Sequence, residues 1–318
     1  MAQLDLEVAY LRSHALADST KRTYAAYLQI YLNFCASYNL PAVPASPVNL
    51  CRYITFLSHS KSPNSIPQYL TVVRLLHLLL DLPNPLKNNF HVDSMILAVK
   101  RHKAKEVRYK MTLSCSDLKA MKKHLNLDTP LDAQTWSIML TCFFGLLRIS
   151  NVTVPVKHQW DPTKVISRED IAFHANGCVL TVRWAKNIQL RDRTLQVALP
   201  KLNNDICPTL ALINLLRVAG QVPPAYPAWA TMLPGGVIEV PTPATVRPRL
   251  QTLIAAVGKP PSEYNTHSLR RSGASYLLSV GVPLATIKIL GDWKSDCVFK
   301  YLKPLPCQKL AMVNKVFQ

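Results

Sequence analysis

The sequence predicts a mainly α-helical chain that carries one small antiparallel β-sheet and is divided between two domains. Three observations predict it. Apolar residues recur at helical spacing through most of the first hundred positions, and residues 133–147 are apolar on every face, as a central core helix is. Only at residues 178–184 and 193–199 does the period change to the alternation of strands. A chain of 318 residues with 49% hydrophobic composition can build two cores.

In order along the chain, Tyr24, Tyr27, Leu28, Tyr31, Leu32, Phe34 and Cys35 mark a helix with one buried face, behind the polar cluster Asp18-Ser19-Thr20, which is placed to cap its start. Residues 40–46 form a proline-rich turn. Residues 48–57 and 66–82 read as further helices parted by Ser62-Pro63-Asn64-Ser65. The first domain, residues 1–102, is thus expected to be a small all-α bundle. The basic segment Lys100-Arg101-His102-Lys103-Ala104-Lys105, with Arg108 and Lys110 beyond it, ends a helix and enters a connector over residues 103–113. It is either a solvated helix end or a linker running along a phosphate backbone, and in the second case it could double as a nuclear-import signal. A new helix starts near residues 114–117 and opens the second domain, residues 114–318. There the two strands are joined by a polar segment that fits a hairpin turn. Residues 222–242, with Pro234-Gly235-Gly236, read as an extended loop. No internal repeat is present.

Charge narrows the partners. Thirty-seven Lys and Arg against 18 Asp and Glu give a formal net charge of +19, a field that favours a polyanion, nucleic acid first; a generally basic protein is the plain alternative. The eight cysteines are scattered, and none are close enough to form a paired zinc knuckle. Some, such as Cys142 in Thr141-Cys142-Phe143-Phe144, sit in apolar runs where a free thiol acts as a small hydrophobe. A reducing intracellular compartment is expected. No uncharged apolar run reaches the length of a membrane span, and Met1-Ala2-Gln3-Leu4-Asp5 lacks the order of a signal peptide, so a soluble protein without membrane contact is expected.

The last quarter carries the chemistry. Thr266-His267-Ser268-Leu269-Arg270-Arg271 is followed by Leu290-Gly291-Asp292-Trp293-Lys294-Ser295 and then by Tyr301. His267 and Arg270, three apart, fall on one helix face and could reach a single phosphate, while a downstream tyrosine could attack it. Thr266 as N-cap would put His267 in the first turn, where backbone N–H groups favour an anion. Arg148 closes the apolar run Phe143-Phe144-Gly145-Leu146-Leu147; a cation there either snorkels to water or finds an anionic partner, and a phosphate is one. Lys186 follows the first strand. With Arg183, Arg191 and Arg193 nearby, it is either a special residue of the turn or part of a plain basic tip. Trp293 is either structural or a partner of the tyrosine. Tyr264 and Tyr276 are better explained as packing.

With these residues in this chain order, the sequence resembles the tyrosine recombinases, DNA breaking-rejoining enzymes, of the kind encoded by eukaryotic DIRS, Ngaro and Crypton mobile elements. The resemblance covers residues 114–303 clearly and the first hundred faintly. It implies a two-domain DNA clamp, a helical core-binding domain plus the tyrosine recombinase catalytic domain, that cleaves and rejoins strands through a 3′-phosphotyrosine for integration or excision. Tyr301 would be the nucleophile, Arg148 and Arg270 the phosphate-binding arginines, His267 their assisting histidine, Lys186 the acid for the leaving oxygen and Trp293 the tyrosine's packing partner. Lys100, Arg101, Lys103, Lys105, Arg183 and Arg271 would hold DNA. The implied partner is double-stranded DNA, with self-assembly into a dimer and tetramer on it in the nucleus; neither metal, ATP nor other cofactor is needed. Two departures stand out: Asn151 replaces a carboxylate of the family, and Trp293 stands eight before Tyr301, whereas many relatives have the equivalent residue nine before, the place of Asp292. They leave room for an alternative, a catalytically inactive, domesticated DNA-binding protein of the recombinase fold. Past Pro304 and Pro306, the residues Leu310, Val313, Val316 and Phe317 form a short apolar stripe. It either folds back on its own domain or passes to a neighbouring protomer, and exchange on DNA is the expectation.

Overall fold

The computed structural model describes residues 1–103, 111–188, 192–293, 298–299, 310 and 313–314. It is mainly helical and divides into two compact units, Met1–Val107 and Arg108–Gln318.

The first unit holds α1 (Ala2–His14), α2 (Asp18–Ser37), α3 (Pro47–Ser60), α4 (Ile66–Leu79) and α5 (Phe90–His102). The periodic face of α2 buries Tyr31, Phe34 and Cys35 against Tyr53, Ile54 and Leu57 of α3 and Leu70 and Val73 of α4. The cap expected on α2 is not formed. Its N-cap is Ala17, and Asp18 lies inside the first turn, where its charge favours the helix N-terminus without a capping hydrogen bond. Ser46 does cap α3, accepting from the Asn49 N–H at 3.2 Å, with Pro47 in the first turn where its missing donor is harmless. His77, buried on α4, accepts from the Ala45 N–H at 2.9 Å through Nε2 and so fixes the proline-rich turn onto the bundle. Helix α1 buries no residue.

The second unit is built around α7 (Pro130–Phe144), which is buried on every side and accounts for the apolar run. Before it, α6 (Cys115–Lys122) starts in a reciprocal cap between Ser114 and Asp117. After it come α8 (Ile149–Val152), the strands β1 (Ile171–His174), β2 (Gly177–Val182) and β3 (Leu195–Pro200), then α9 (Pro208–Val218), β4 (Thr231–Met232), β5 (Ile238–Glu239), α10 (Pro243–Ala256), α11 (Thr266–Ser279) and α12 (Leu284–Leu290). The sheet is antiparallel in the order β1-β2-β3, with Leu180 paired to Ile171 and Val197. Alternation revealed β2 and β3. It missed β1, whose residues are mostly exposed and carry no buried face to alternate with. The proline-rich stretch is likewise more than a loop: β4 and β5 pair in it, and Gly235 and Gly236, at φ +87° and +78°, supply the left-handed turn between them.

Two contacts fix α11 against α7. Leu269 is buried in the core cluster that α7 centres, and Gly273 lets the helix backbones meet, since a Cβ there would lie 1.9 Å from the Phe143 carbonyl oxygen. Gly273→Ala must therefore push two core helices apart. Overpacking of this kind costs on the order of 3 kcal/mol, which for a domain of this size lowers Tm by roughly 6–12 °C. Differential scanning calorimetry checks it; a Tm within a degree of the parent would show that the helices yield freely. Among the described residues, no helix is long and apolar enough to cross a membrane.

Candidate active site

The site is assembled where α7 ends, α11 begins and α12 ends. Helix α7 stops at Gly145, and Leu146 takes a left-handed conformation, φ +49°, before Arg148 leads into α8. Arg148 is therefore set off from the core helix by a sharp turn. Asn151, one turn on, uses its side-chain carbonyl to accept the Arg148 N–H at 3.0 Å, while its own N–H donates to the Arg148 carbonyl at 2.8 Å. The amide in the carboxylate's place thus holds the backbone of this turn. The Arg148 side chain is half-buried and has no hydrogen-bond or ion-pair partner among the described residues.

Helix α11 begins one residue earlier than the Thr266 cap requires. Asn265 is the N-cap: its side chain accepts the Ser268 N–H at 3.1 Å, and Ser268 Oγ accepts the Asn265 N–H at 3.1 Å. Extended backbone at Asn265 makes this reciprocal pair possible and leaves Thr266 buried as the first helical residue. His267 remains in the first turn, with Arg270 one turn on.

Arg270 is 2% exposed. Its guanidinium donates to the Leu146 carbonyl and, at 2.6 Å, to the Gly291 carbonyl, and it stacks over the Trp293 ring at 4.3 Å from the centroid. Trp293 is buried with Leu146, Ala274, Ile287 and Val298. Its ring covers Gly291 so closely that a Cβ there would lie 1.8 Å from Cζ3. Trp293 thus packs beneath the second arginine. Tyr301, the expected nucleophile, lies outside the described residues, as do Lys105, Arg191, Val316 and Phe317; of the tail only Leu310, Val313 and Asn314 are described.

Lys186 is exposed in the connection from β2 to β3, and the next residue but one, Ile188, is fully buried and anchors that connection. Asn187 Nδ2 donates to the Asp292 carbonyl at 2.9 Å, and Arg193 Nη2 lies 2.7 and 2.8 Å from the two Asp292 carboxylate oxygens. Arg148, Asn151, Ala185, Leu195, Arg270 and Asp292 border one small cleft.

His267 reports how these groups are gathered. Although the residue keeps access to solvent, partial withdrawal of its ring from water and then the positive charges of Arg148, Arg270 and Lys186 hold its pKa below the ordinary imidazole value. The imidazole is thus neutral at neutral pH. The unfolded chain takes up a proton as pH falls through about 6.5 while the folded site resists it, so this group lowers stability increasingly on acidification. A phosphate among these cations would offset their charge. The Cε1–H resonance of His267 is expected to titrate below the ordinary range in the free protein and to move upward on addition of duplex DNA. A titration that DNA leaves unmoved would place the phosphate elsewhere.

Within the second unit, not every expected residue borders this cleft. Arg183 pairs with the buried carboxylate of Asp170. Arg271 is half-buried beside the His267–Arg270 face. In the first unit, Lys100 and Arg101 are exposed at the end of α5, whereas Lys103 donates to the Ser58 carbonyl at 2.5 Å. Tyr264 is buried in the main core and Tyr276 lies against Phe143, ring centroids 6.0 Å apart. Burial pushes the Cys142 thiol up to about 12, with Arg270 acting the other way, which leaves it a packing residue. Among the described residues no His, Cys, Asp or Glu cluster could hold a metal. Leu146, Gly291 and Asn187 are the site residues that sequence reasoning passed over.

No family model matches the sequence, and no curated protein matches it. Solved structures do. The Tn1549 transposon integrase in complex with transposon right end DNA matches with a TM-score of 0.66 at 10% identity, over 98% of each chain. A lambda integrase dimer bound to a COC′ core site matches with 0.59 at 14% identity, over 95% of this chain and 94% of that one. The XerH site-specific recombinase bound to difH substrate, a pre-cleavage complex, matches with 0.59 at 13% identity, over 93% and 79%. The chain has the fold of the tyrosine recombinases, mainly helical with a small antiparallel sheet.

Proposed function

We propose that this protein is a tyrosine-type DNA strand transferase that cleaves and rejoins duplex DNA, and that it serves integration or excision of a mobile element of the DIRS, Ngaro or Crypton kind. The observation that carries the reading is the closeness of Arg148, Lys186 and Arg270 to His267, residues brought together from three separate parts of the chain, with Arg148 and Arg270 bordering one cleft. In the proposed reaction Tyr301 Oη attacks the scissile phosphorus and yields its proton with help from His267. Arg148 and Arg270 stabilise the charge on the non-bridging oxygens. Lys186 gives a proton to the departing 5′ oxygen as its bond to phosphorus breaks, leaving a 3′-phosphotyrosine. A 5′-hydroxyl then reverses the step.

The net charge of +19 supports DNA as partner, with residues 1–102 as core-binding domain, residues 103–113 as linker and residues 114–318 as catalytic domain. Lys100, Arg101, Lys103, Lys105 and Arg271 would line the phosphate backbone, and Arg183 would do so from its pair with Asp170. Assembly into a dimer and tetramer on DNA, through the C-terminal tail, and action in the nucleus belong to the same reading. Asn151 gives the inactive alternative little support, because the amide makes the hydrogen bond that holds the Arg148 turn.

The test is direct. Purified protein incubated with duplex DNA selected for binding, in excess chelator, is expected to give a protein–DNA adduct that survives denaturation and yields phosphotyrosine on digestion. Adduct that appears only with a divalent ion, or no adduct on any bound duplex, would refute it.

A further inference from the structure

A single residue, Asp292, is held by two side chains of the connection that carries Lys186. Asn187, directly after the lysine, donates to the Asp292 backbone carbonyl at 2.9 Å and to its carboxylate at 3.3 Å. Arg193, where the turn rejoins β3, meets both carboxylate oxygens of the same residue at 2.7 and 2.8 Å. The Arg193 and Asp292 side chains are only 33% and 15% exposed. A pair this far withdrawn from water, with both carboxylate oxygens engaged, holds position far better than a solvated surface pair. Asp292 is itself fixed. It sits at φ +50°, a conformation that aspartate tolerates better than most residues, between Gly291, whose carbonyl accepts from Arg270, and Trp293, on which Arg270 stacks.

We propose that Asp292, with Arg193 and Asn187, is a latch that positions Lys186 relative to Arg270, so that the acid for the leaving oxygen and the cation on the non-bridging oxygens are set at a fixed separation. None of the three latch residues need touch the reacting atoms; they act through the lysine. The proposal rests on the reading of Lys186 as the acid, and the experiment separates the two.

A duplex is selected from random sequence by binding to the full protein, its scissile phosphate is mapped from the adduct, and that position is remade with sulfur in place of the bridging 5′ oxygen. Breaking the P–S bond releases a thiolate that needs no proton, so loss of the acid no longer matters. On the oxygen substrate, Lys186→Ala is expected to slow cleavage on the order of 100-fold, and Arg193→Ala and Asp292→Asn about tenfold each, a fraction of what a positioned acid contributes. The double variant Arg193→Ala/Asp292→Asn should be little worse than either single one, as residues acting as one pair are. On the sulfur substrate all of these are expected to cleave near the parent rate, while Arg270→Ala stays slow. Asp292→Asn keeps shape and backbone preference and so guards against a fold that fails.

Recovery of Lys186→Ala without recovery of Arg193→Ala or Asp292→Asn would overturn the latch and leave the acid assignment standing. Failure of Lys186→Ala to recover would overturn the acid assignment and the latch with it, as would the absence of any adduct.

Discussion

Tyr301→Phe is expected to bind duplex DNA as the parent does and to form no covalent adduct. The substitution removes one oxygen, keeps the ring and changes no charge, so the attacking atom alone is gone. The position of the tyrosine, after Gly291-Asp292-Trp293, gives the expectation its force. That segment is pinned from two sides, by Arg270 on the Gly291 carbonyl and the Trp293 ring and by Arg193 on Asp292, so the chain leaves the cleft from a fixed point. The competing tyrosines are engaged elsewhere: Tyr264 in the core and Tyr276 against Phe143. Gel-shift titration paired with a denaturing gel checks the result. A normal adduct yield from Tyr301→Phe, or loss of adduct in Tyr264→Phe or Tyr276→Phe, would move the nucleophile.

Arg270→Ala is expected to lower the cleavage rate by about 100-fold or more, the usual effect of losing one preorganised donor to developing charge, and to destabilise the fold as well. Its guanidinium links the Leu146 and Gly291 carbonyls, and removing a buried donor from its acceptors costs about 1–3 kcal/mol for each group left without it. Arg270→Lys should recover little, because a point charge cannot replace a planar fork that bonds two carbonyls and lies flat on an indole. Arg148→Ala should cost a similar factor in rate with little change in Tm, since no hydrogen bond or ion pair holds that side chain among the described residues. Rates from adduct time courses and Tm from calorimetry separate the two arginines. Equal losses of stability in both variants would contradict the assignment of Arg270 as the anchored one.

What was legible in the sequence follows from how local each signal is. The core helix α7, the periodic face of α2 and the strands β2 and β3 announce themselves by burial patterns within a dozen residues. The candidate residues Arg148, Lys186, His267, Arg270 and Trp293 could be picked out by their order and their neighbours. Their contacts could not be. Trp293 reads as either structural or a partner for a tyrosine; its ring lies under Arg270, and nothing near residue 293 in sequence points to residue 270. The pairing of Arg193 with Asp292 spans 99 positions, and in a chain this basic one arginine among many carries no mark. Asn265 displaced Thr266 as the cap because both residue types cap helices, and the choice depends on which backbone is extended.

The left-handed turn at Leu146 has a consequence for how the site comes into being. Placing a leucine at φ +49° costs about 1–2 kcal/mol, and two things hold it there: its carbonyl lies on the Arg270 guanidinium, and its side chain lies in the cluster with Ala274, Ile287 and Trp293. Both belong to segments synthesised more than a hundred residues later. Before α11 and α12 dock, neither of these contacts is made, and the strained turn that leads to Arg148 lacks what holds it. On the proposed reading, a chain still on the ribosome would therefore carry no half-built phosphate trap. On the proposed reading, the ability to open a DNA strand would arise together with the completed domain, so that a molecule able to break the strand would also be whole enough to reseal it.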